Sequence, residues 1–390
     1  MTGALNPFVW DRPLDDPSTI VGVDAFARRV ALALRTETNV ALFGPHGTGK
    51  TTFVNRLALE LARSDGEDTP PVDVVVVDLR HVASLPGLAG CLHDALVAHP
   101  NRRLRRAVQA EPPAAGMAAE AADETVHAQL AALRSLSDRL VIVFDEFARL
   151  CHCPGDPLAI LGSTLTSAGA NRVALLFTGS IGNALQMILE SADQPIFGEA
   201  VDLQLPAIDR VAFLAYLDDR FQATGKPADE DALNYLLNAT GVHPRSTQQL
   251  AWECWVDTAP GEHVTLGTVI YAHDRLVQTM ERSEFTGQLD LLMNGDEGEV
   301  NEARALQLLA DRGSGNLTSR PVAARYGFSS HSRVMPALDR LQRRGLVDRR
   351  DRRDGRDGRD GGWYIVDPLF AEWLRRASPL ADRAAAPEDE

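Results

Sequence analysis

The sequence predicts an α/β chain in which an open parallel sheet is followed by an all-helical segment and then by a small helix-and-hairpin unit. Three observations predict it. Short apolar runs alternate with helical stretches in the first half: Val40 to Phe43, Val72 to Asp78, Arg139 to Asp145, Val173 to Thr178 and Val201 to Leu205. From Ile208 to about Glu284 every periodic segment has helical spacing. Beyond residue 300, three helical stretches precede two short apolar runs, Leu346-Val347 and Trp363 to Val366.

Residues 1–19, rich in Pro and Asp, read as an irregular lead-in, and Ile20 to Leu34 read as a helix with Phe26, Val30 and Leu34 on one face. The first apolar run then leads into Gly44-Pro45-His46-Gly47-Thr48-Gly49-Lys50-Thr51-Thr52, and Phe53 to Leu61 is helical again. Gly44-x-x-x-x-Gly49-Lys50-Thr51 between a buried strand and a helix start is the phosphate-binding P-loop in its required context. Glycines let the backbone wrap an anion with its N–H groups, and the helix N-terminus adds partial positive charge. Lys50 is the point charge for β- and γ-phosphates, and the Thr51 hydroxyl is a ligand for Mg²⁺. Lys occurs elsewhere only at Lys226, so the pattern is expected by accident in on the order of one chain in a thousand.

Leu85 to Val108 reads as helix interrupted near Pro100, and 110–122, with Pro112-Pro113 and many Ala, as a mobile insertion. Arg139-Leu-Val-Ile-Val-Phe-Asp145-Glu146 is a buried strand ending in two acids. About ninety residues after a P-loop, this is the second half of the site: Asp145 holds Mg²⁺, and Glu146 orients and deprotonates water. Thr178-Gly179-Ser180 closes another buried strand. It either sets Thr178 or Ser180 beside a γ-phosphate or simply turns the chain. In the helical segment, Gly241-Val-His-Pro244-Arg245 opens a helix. It either swings Arg245 over a triphosphate or leaves an exposed Arg at a helix start.

The expected division is a core over 1–206, a helical lid over 207–287, a polar linker over 288–300, a winged helix-turn-helix over 301–378 and a disordered tail over 379–390. In the terminal unit, Asn301 to Leu309, a helix capped by Thr318 or Ser319, and Ser332 to Arg344 are the three helices. Val334, Leu338 and Leu341 form the inner stripe of the third. Arg333, Arg340 and Arg344 fall on one outer face that suits phosphate and major-groove contacts, which makes them DNA-binding candidates. Residues 301–378 hold 16 Arg against 10 acids in a chain of net charge −15. The loop 348–362 is a repeat of Asp, Arg and Gly whose charges nearly cancel, read as a solvated wing rather than a DNA-tracking arm.

Composition narrows the class. Hydrophobic content of 45% and charged content of 24% are those of a soluble globular protein, and no apolar run reaches the 18 or more residues of a membrane span. The N-terminus lacks a signal peptide, and four cysteines agree with a reducing compartment, so a cytoplasmic location without a membrane partner is expected. Cys151-His152-Cys153 is too closely spaced to bind one metal ion and has no second cluster to complete it.

From Ile20 to Leu374 the chain resembles the AAA+-related P-loop ATPases of the STAND and archaeal-type group, which are similar to origin-recognition ATPases. Gly44 to Thr51 and Leu140 to Glu146 match the two phosphate motifs. Thr178-Gly-Ser180 sits at the first sensor, Pro244-Arg245 at the second, and Tyr364 to Phe370 resembles the segment closing the winged helix. The resemblance implies binding of ATP and Mg²⁺, slow hydrolysis, and a lid whose position reports the nucleotide. It also implies nucleotide-dependent oligomerisation or partner binding. Two positions depart from it. Gly22-Val23-Asp24 replaces Gly-Arg-Glu, and Glu199 stands where relatives carry an arginine finger, a role open to Arg149 or Arg172. The expected function is an ATP-dependent switch whose winged helix contacts DNA. The alternative is a nucleotide-gated signalling or defence regulator whose winged helix binds a protein partner, with little or no turnover.

Overall fold

Strand β1 (Val40–Phe43) is hydrogen-bonded on both sides, and the rest of the sheet is built outward from it in the computed structural model. The structure describes residues 5–63, 71–106, 111–114, 116–166, 172–179, 200–279, 284–349 and 362–377. They fall into two units: one comprises Leu14–Gly44 and Lys50–Pro206, the other Met1–Pro13, Pro45–Gly49 and Ala207–Glu390.

In the first unit β1 is joined by β2 (Asp73–Asp78), β3 (Arg139–Asp145), β4 (Arg172–Gly179) and β5 (Val201–Gln204). All pairs are parallel, in the order β2-β3-β4-β1-β5. Parallel neighbours need crossovers, which the helices α2 (Lys50–Ala62), α3 (Leu85–Ala98), α4 (Arg102–Arg106), α5 (Ala119–Leu136) and α6 (Pro157–Thr166) supply, while α1 (Asp24–Arg35) precedes β1 and shares a core with α2. The strands read as unbroken apolar runs because both faces are covered. Leu140, Ile142 and Phe144 enter one core with Leu88, Leu92 and Leu130, while Val141 and Val143 enter another with Val30, Phe53 and Leu57. Each such side chain contributes roughly 1.5–3 kcal/mol on burial.

Two expectations change here. The first helix begins at Asp24 rather than Ile20, since Gly22 has φ +77° and breaks the helical path. The segment read as an insertion is partly helix: Ala119 to Ala122 open α5, and Ala122 is fully buried. Alanine content there reflects helix propensity rather than low complexity.

The second unit holds α7 (Arg210–Ala223), α8 (Glu230–Ala239), α9 (Pro244–Asp257), α10 (Leu266–Thr279), α11 (Glu284–Met293), α12 (Glu297–Arg312), α13 (Arg320–Arg325) and α14 (Val334–Arg343). An antiparallel hairpin of β6 (Val347–Arg349) and β7 (Trp363–Ile365) and a last helix α15 (Pro368–Ala377) complete it. One core runs continuously from Phe8 and Phe213 through Leu276 and Leu306 to Leu338 and Phe370. The stretch 288–300 is therefore not a linker. Leu289 and Leu292 are buried on α11, and Asp296 with Glu299 forms a capping box that starts α12. The polar residues 294–296 mark only the turn between these helices.

The three helices and hairpin expected at the end are present. Val334, Leu338 and Leu341 are buried as the inner stripe of α14, and Pro336 falls in its first turn, where no backbone bond is lost. The N-terminal lead-in is anchored rather than irregular in its packing. The Phe8 ring lies 4.5 Å from that of Phe221, and Asn6 Nδ2 donates to the Trp252 carbonyl at 3.2 Å. Most of the wing loop and the tail 379–390 lie outside the described residues.

Candidate functional site

At the carboxyl edge of the sheet in the first unit, Lys50 opens α2 directly after the glycine loop. Its Nζ donates to the Gly44 carbonyl at 2.9 Å and stands 3.6 Å from Glu146 Oε1. Burial lowers its pKa, and the charges of Glu146 and Asp145 oppose that shift. Asp145, fully buried at the end of β3, is held by two threonine hydroxyls. Thr51 Oγ1 donates to one carboxylate oxygen at 2.7 Å and Thr178 Oγ1 donates to the other. The Thr178 oxygen in turn accepts the Glu146 N–H at 3.0 Å. Because β3 and β4 pair in register through Phe144 and Phe177, the next residues, Asp145 and Thr178, come side by side.

Glu146 has φ 60° and ψ 46°, a left-handed conformation costing an L-residue on the order of 1–2 kcal/mol. The bond to Thr178 and the ion pair with Lys50 hold it there, so the carboxylate is aimed rather than free to rotate. Thr52, read as a nucleotide contact, has its hydroxyl taken by the backbone: Oγ1 accepts the Leu14 N–H at 3.3 Å.

Two residues were not found by sequence reasoning. Asp78 ends β2 directly opposite Asp145, and Arg80 clasps it, with Nε 3.0 Å from both carboxylate oxygens and Nη2 2.5 Å from one. The Arg80 bond holds Asp78 below the usual carboxylate range, and Asp78, Asp145 and Glu146 all raise the guanidinium. The sequence signal was an acid closing a second apolar run.

The turn Pro45–Gly49 lies in the second unit. Gly47 (φ +76°) and Gly49 (φ +94°) take the left-handed conformations the loop requires, and Thr48 Oγ1 donates back to the Pro45 carbonyl at 2.8 Å. The helix-start segment grips this turn. The Arg245 N–H donates to the Gly47 carbonyl at 3.2 Å, and Arg245 Nη1 lies 3.4 Å from His46 Nε2. His243 Nε2 lies 3.0 Å from the His46 carbonyl oxygen. A Cβ on Gly47 would come within 2.8 Å of the His243 ring. Arg245 also stands 5.9 Å from the centre of the Trp10 ring.

Ser180 and Glu199 lie outside the described residues, as does the Arg172 side chain. Arg149 is exposed on the short 3₁₀ turn after β3. Among the described residues no group of acids, histidines and cysteines forms a metal cluster, and Cys151 is exposed while Cys153 is buried. No described helix is long and apolar enough to cross a membrane.

The three arginines read as a DNA-facing row are committed to α12. Arg340 Nε lies 2.7 Å from Glu302 Oε1, and its Nη2 donates to the Gly298 carbonyl at 2.9 Å. Arg344 contacts Glu299 at 2.9 Å and Glu302 at 2.8 Å, and Arg333 contacts Glu297 at 2.9 Å. Arg340 is half-buried in this charged seam between α12 and α14, while Arg333 and Arg344 remain exposed.

Residues 33–188 match the family model of the AAA domain. No curated protein matches the chain in sequence. Solved structures do match it in fold over nearly its whole length. The Walker-type ATPase PABY2304 of Pyrococcus abyssi aligns with 94% of this chain and 99% of its own, at 15% identity and a TM-score of 0.66. The ORC2 protein of Aeropyrum pernix, in its ADPNP-ADP complexes, aligns over 93% and 94%, at 16% identity and 0.57. The ORC1 protein of the same organism, in complex with DNA, aligns over 94% of both chains, at 19% identity and 0.50. Residues 33–188 are thus similar to an AAA domain, and the fold of the chain is like that of this Walker-type ATPase and of the two origin-recognition proteins.

Proposed function

We propose that this protein is an ATP-binding, slowly ATP-hydrolysing switch in which nucleotide state repositions a C-terminal winged helix. The observation that carries the reading is the convergence of Lys50, Thr51, Asp145, Glu146 and Thr178 in one hydrogen-bonded set. The donors fit the expected ligands. Thr51 and Asp145 present adjacent hard oxygens of the kind Mg²⁺ takes, and the loop glycines turn backbone N–H groups toward an anion. Bound ATP·Mg²⁺ would supply the phosphoanhydride that water cleaves. Glu146, 3.6 Å from Lys50, accepts the proton of that water, and Thr178 fixes the Glu146 backbone. Lys50 leaves the Gly44 carbonyl for phosphate oxygens.

Purified protein should bind a fluorescent ATP analogue with Mg²⁺. Lys50→Ala should abolish binding, and Glu146→Gln should keep binding while stopping turnover. Unchanged affinity in the Lys50 variant removes the basis of the proposal.

The switch acts on either DNA or a protein partner, and the pairing of Arg333, Arg340 and Arg344 with α12 acids favours the second. The DNA form keeps the net positive charge of 301–378 as its support. Low-salt titration of duplex DNA with and without ATP separates them: nucleotide-dependent binding supports the DNA form, and none supports the protein form.

A further inference from the structure

His243 has one proton too few for the contacts around it. Its Nε2 faces the His46 carbonyl oxygen at 3.0 Å, an atom that only accepts. Its Nδ1 lies 2.8 Å from Ser246 Oγ, and Ser246 Oγ lies 3.0 Å from Asp367 Oδ1, which accepts when ionised. A neutral imidazole carries one N–H. With the proton on Nε2, the bond to the phosphate loop is made and Nδ1 accepts, from the Ser246 N–H at 3.4 Å and from the nearer Ser246 hydroxyl at 2.8 Å, whose proton is then withdrawn from Asp367. With the proton on Nδ1, Ser246 is free to donate to Asp367, but the Nε2 lone pair then opposes the His46 carbonyl. All three bonds coexist only in the imidazolium. Burial disfavours that form, as does the nearby Arg245, while Asp367 and the His46 carbonyl favour it.

Backbone geometry holds the ring in this position. Gly241 (φ +57°) and Val242 (φ +61°) are consecutive left-handed residues, and a β-branched side chain there is a genuine outlier. They are fixed by Val242 N donating to the Leu237 carbonyl at 3.1 Å and His243 N donating to the Thr240 carbonyl at 2.9 Å. At the other end, Asp367 Oδ1 caps α15 by accepting the N–H groups of Leu369 at 2.9 Å and Phe370 at 3.4 Å.

We propose that His243 is a proton-sharing junction between the phosphate loop and α15: its grip on the His46 carbonyl and the Ser246 bond to Asp367 exclude one another. A change at the loop that withdraws the His46 carbonyl moves the proton to Nδ1, completes the bond to Asp367 and tightens the cap of α15. This deepens the nucleotide-switch reading and rests on it for the signal at the loop. The junction itself is a property of the side chains.

Hydrogen exchange of the Leu369 and Phe370 amides tests it in the full chain, with nucleotide affinity measured on the same samples. Saturating Mg²⁺·ADP should slow those amides by about fivefold, the size of one coupled bond. Ser246→Ala should remove that response while leaving ADP affinity within about twofold. A response that survives Ser246→Ala, or none in wild type that binds ADP, overturns the junction. Failure of wild type to bind ADP sinks the nucleotide reading instead, and the junction is then decided without ligand. His243→Gln and Asp367→Asn, which do not touch each other, should combine non-additively on the same amides by about fivefold, and additively in the Ser246→Ala background. Additivity with Ser246 present overturns it.

Discussion

Arg340→Ala decides whether the arginines of α14 build the module or serve a ligand. Glu302 is only 1% exposed, and Arg340, at 35%, gives it a 2.7 Å contact while also bonding the Gly298 carbonyl. The second guanidinium, Arg344, lies 2.8 Å from the other Glu302 oxygen, yet that oxygen has no hydrogen-bond partner, so the contact is too oblique to replace the first. Breaking a fully buried pair costs about 3–5 kcal/mol and an exposed pair about 0–1. With one partner a third exposed, the loss should be about 2–3 kcal/mol. Arg333→Ala removes a pair exposed on both sides and should cost under about 0.5 kcal/mol. The assay is amide exchange across residues 297–312, where the first change should speed opening about 30- to 150-fold and the second hardly at all. Wild-type protection in Arg340→Ala, together with lost DNA affinity, would refute the structural role and restore the arginine row as a DNA contact.

Other consequences follow from the site and its surroundings. Thr178→Val keeps the shape but removes the donor to Asp145 and the acceptor for the Glu146 N–H. A loss of about 2–4 kcal/mol in denaturant titration of the core is expected, with ATP binding kept and turnover abolished. Gly47→Ala puts a side chain at φ +76° and against His243, and should weaken ATP binding about five- to thirtyfold by titration. Unaltered affinity would mean the loop opens away from this segment on binding. Burial lowers the pKa of His273, whose Nδ1 lies 3.3 Å from the Tyr235 hydroxyl and which faces Arg376, Arg375, Glu372 and Asp274. A depressed histidine supports the fold fully above its unfolded pKa of about 6.5, and that support is lost as pH falls through the lower folded value. Melting temperature should therefore drop on acidification below about pH 6.5, and His273→Gln should shrink that slope.

The parts of the molecule legible in the sequence were those whose partners are close by in the chain or fixed by sheet pairing. Val40 to Thr51 is one continuous strand, loop and helix start, and Asp145 could be assigned because an acid at the end of a buried parallel strand lies at the sheet edge. Thr178 was left open between two roles because only the β3–β4 register sets it beside Asp145. The ion pairs of the arginine row were hidden for a related reason. Helical spacing gives the face of a residue but not what covers it, and Glu299 and Glu302 lie about forty residues upstream. Their spacing of three against the four of Arg340 and Arg344 was a usable hint of paired helices. The supposed linker failed because Asn294-Gly295 outweighed the capping pair Asp296 and Glu299. His243 and Asp367, joined only through Ser246, had no signal at any sequence distance a motif covers.

Phe8 has a practical bearing on how the protein is handled. Its ring is 2% exposed and wedged against Phe221, with Asn6 tied to the Trp252 carbonyl beside it. Residues that look like a ragged leader to be trimmed for crystallisation are a plug in the helical unit. Removing a buried phenylalanine costs about 3–5 kcal/mol, enough to consume much of the stability of an ordinary domain. A shortened form starting after Pro13 would bare the Phe221 pocket and take Trp10 from beneath Arg245. Loss of activity in such a form would report a damaged helical unit, not a leader with a catalytic role.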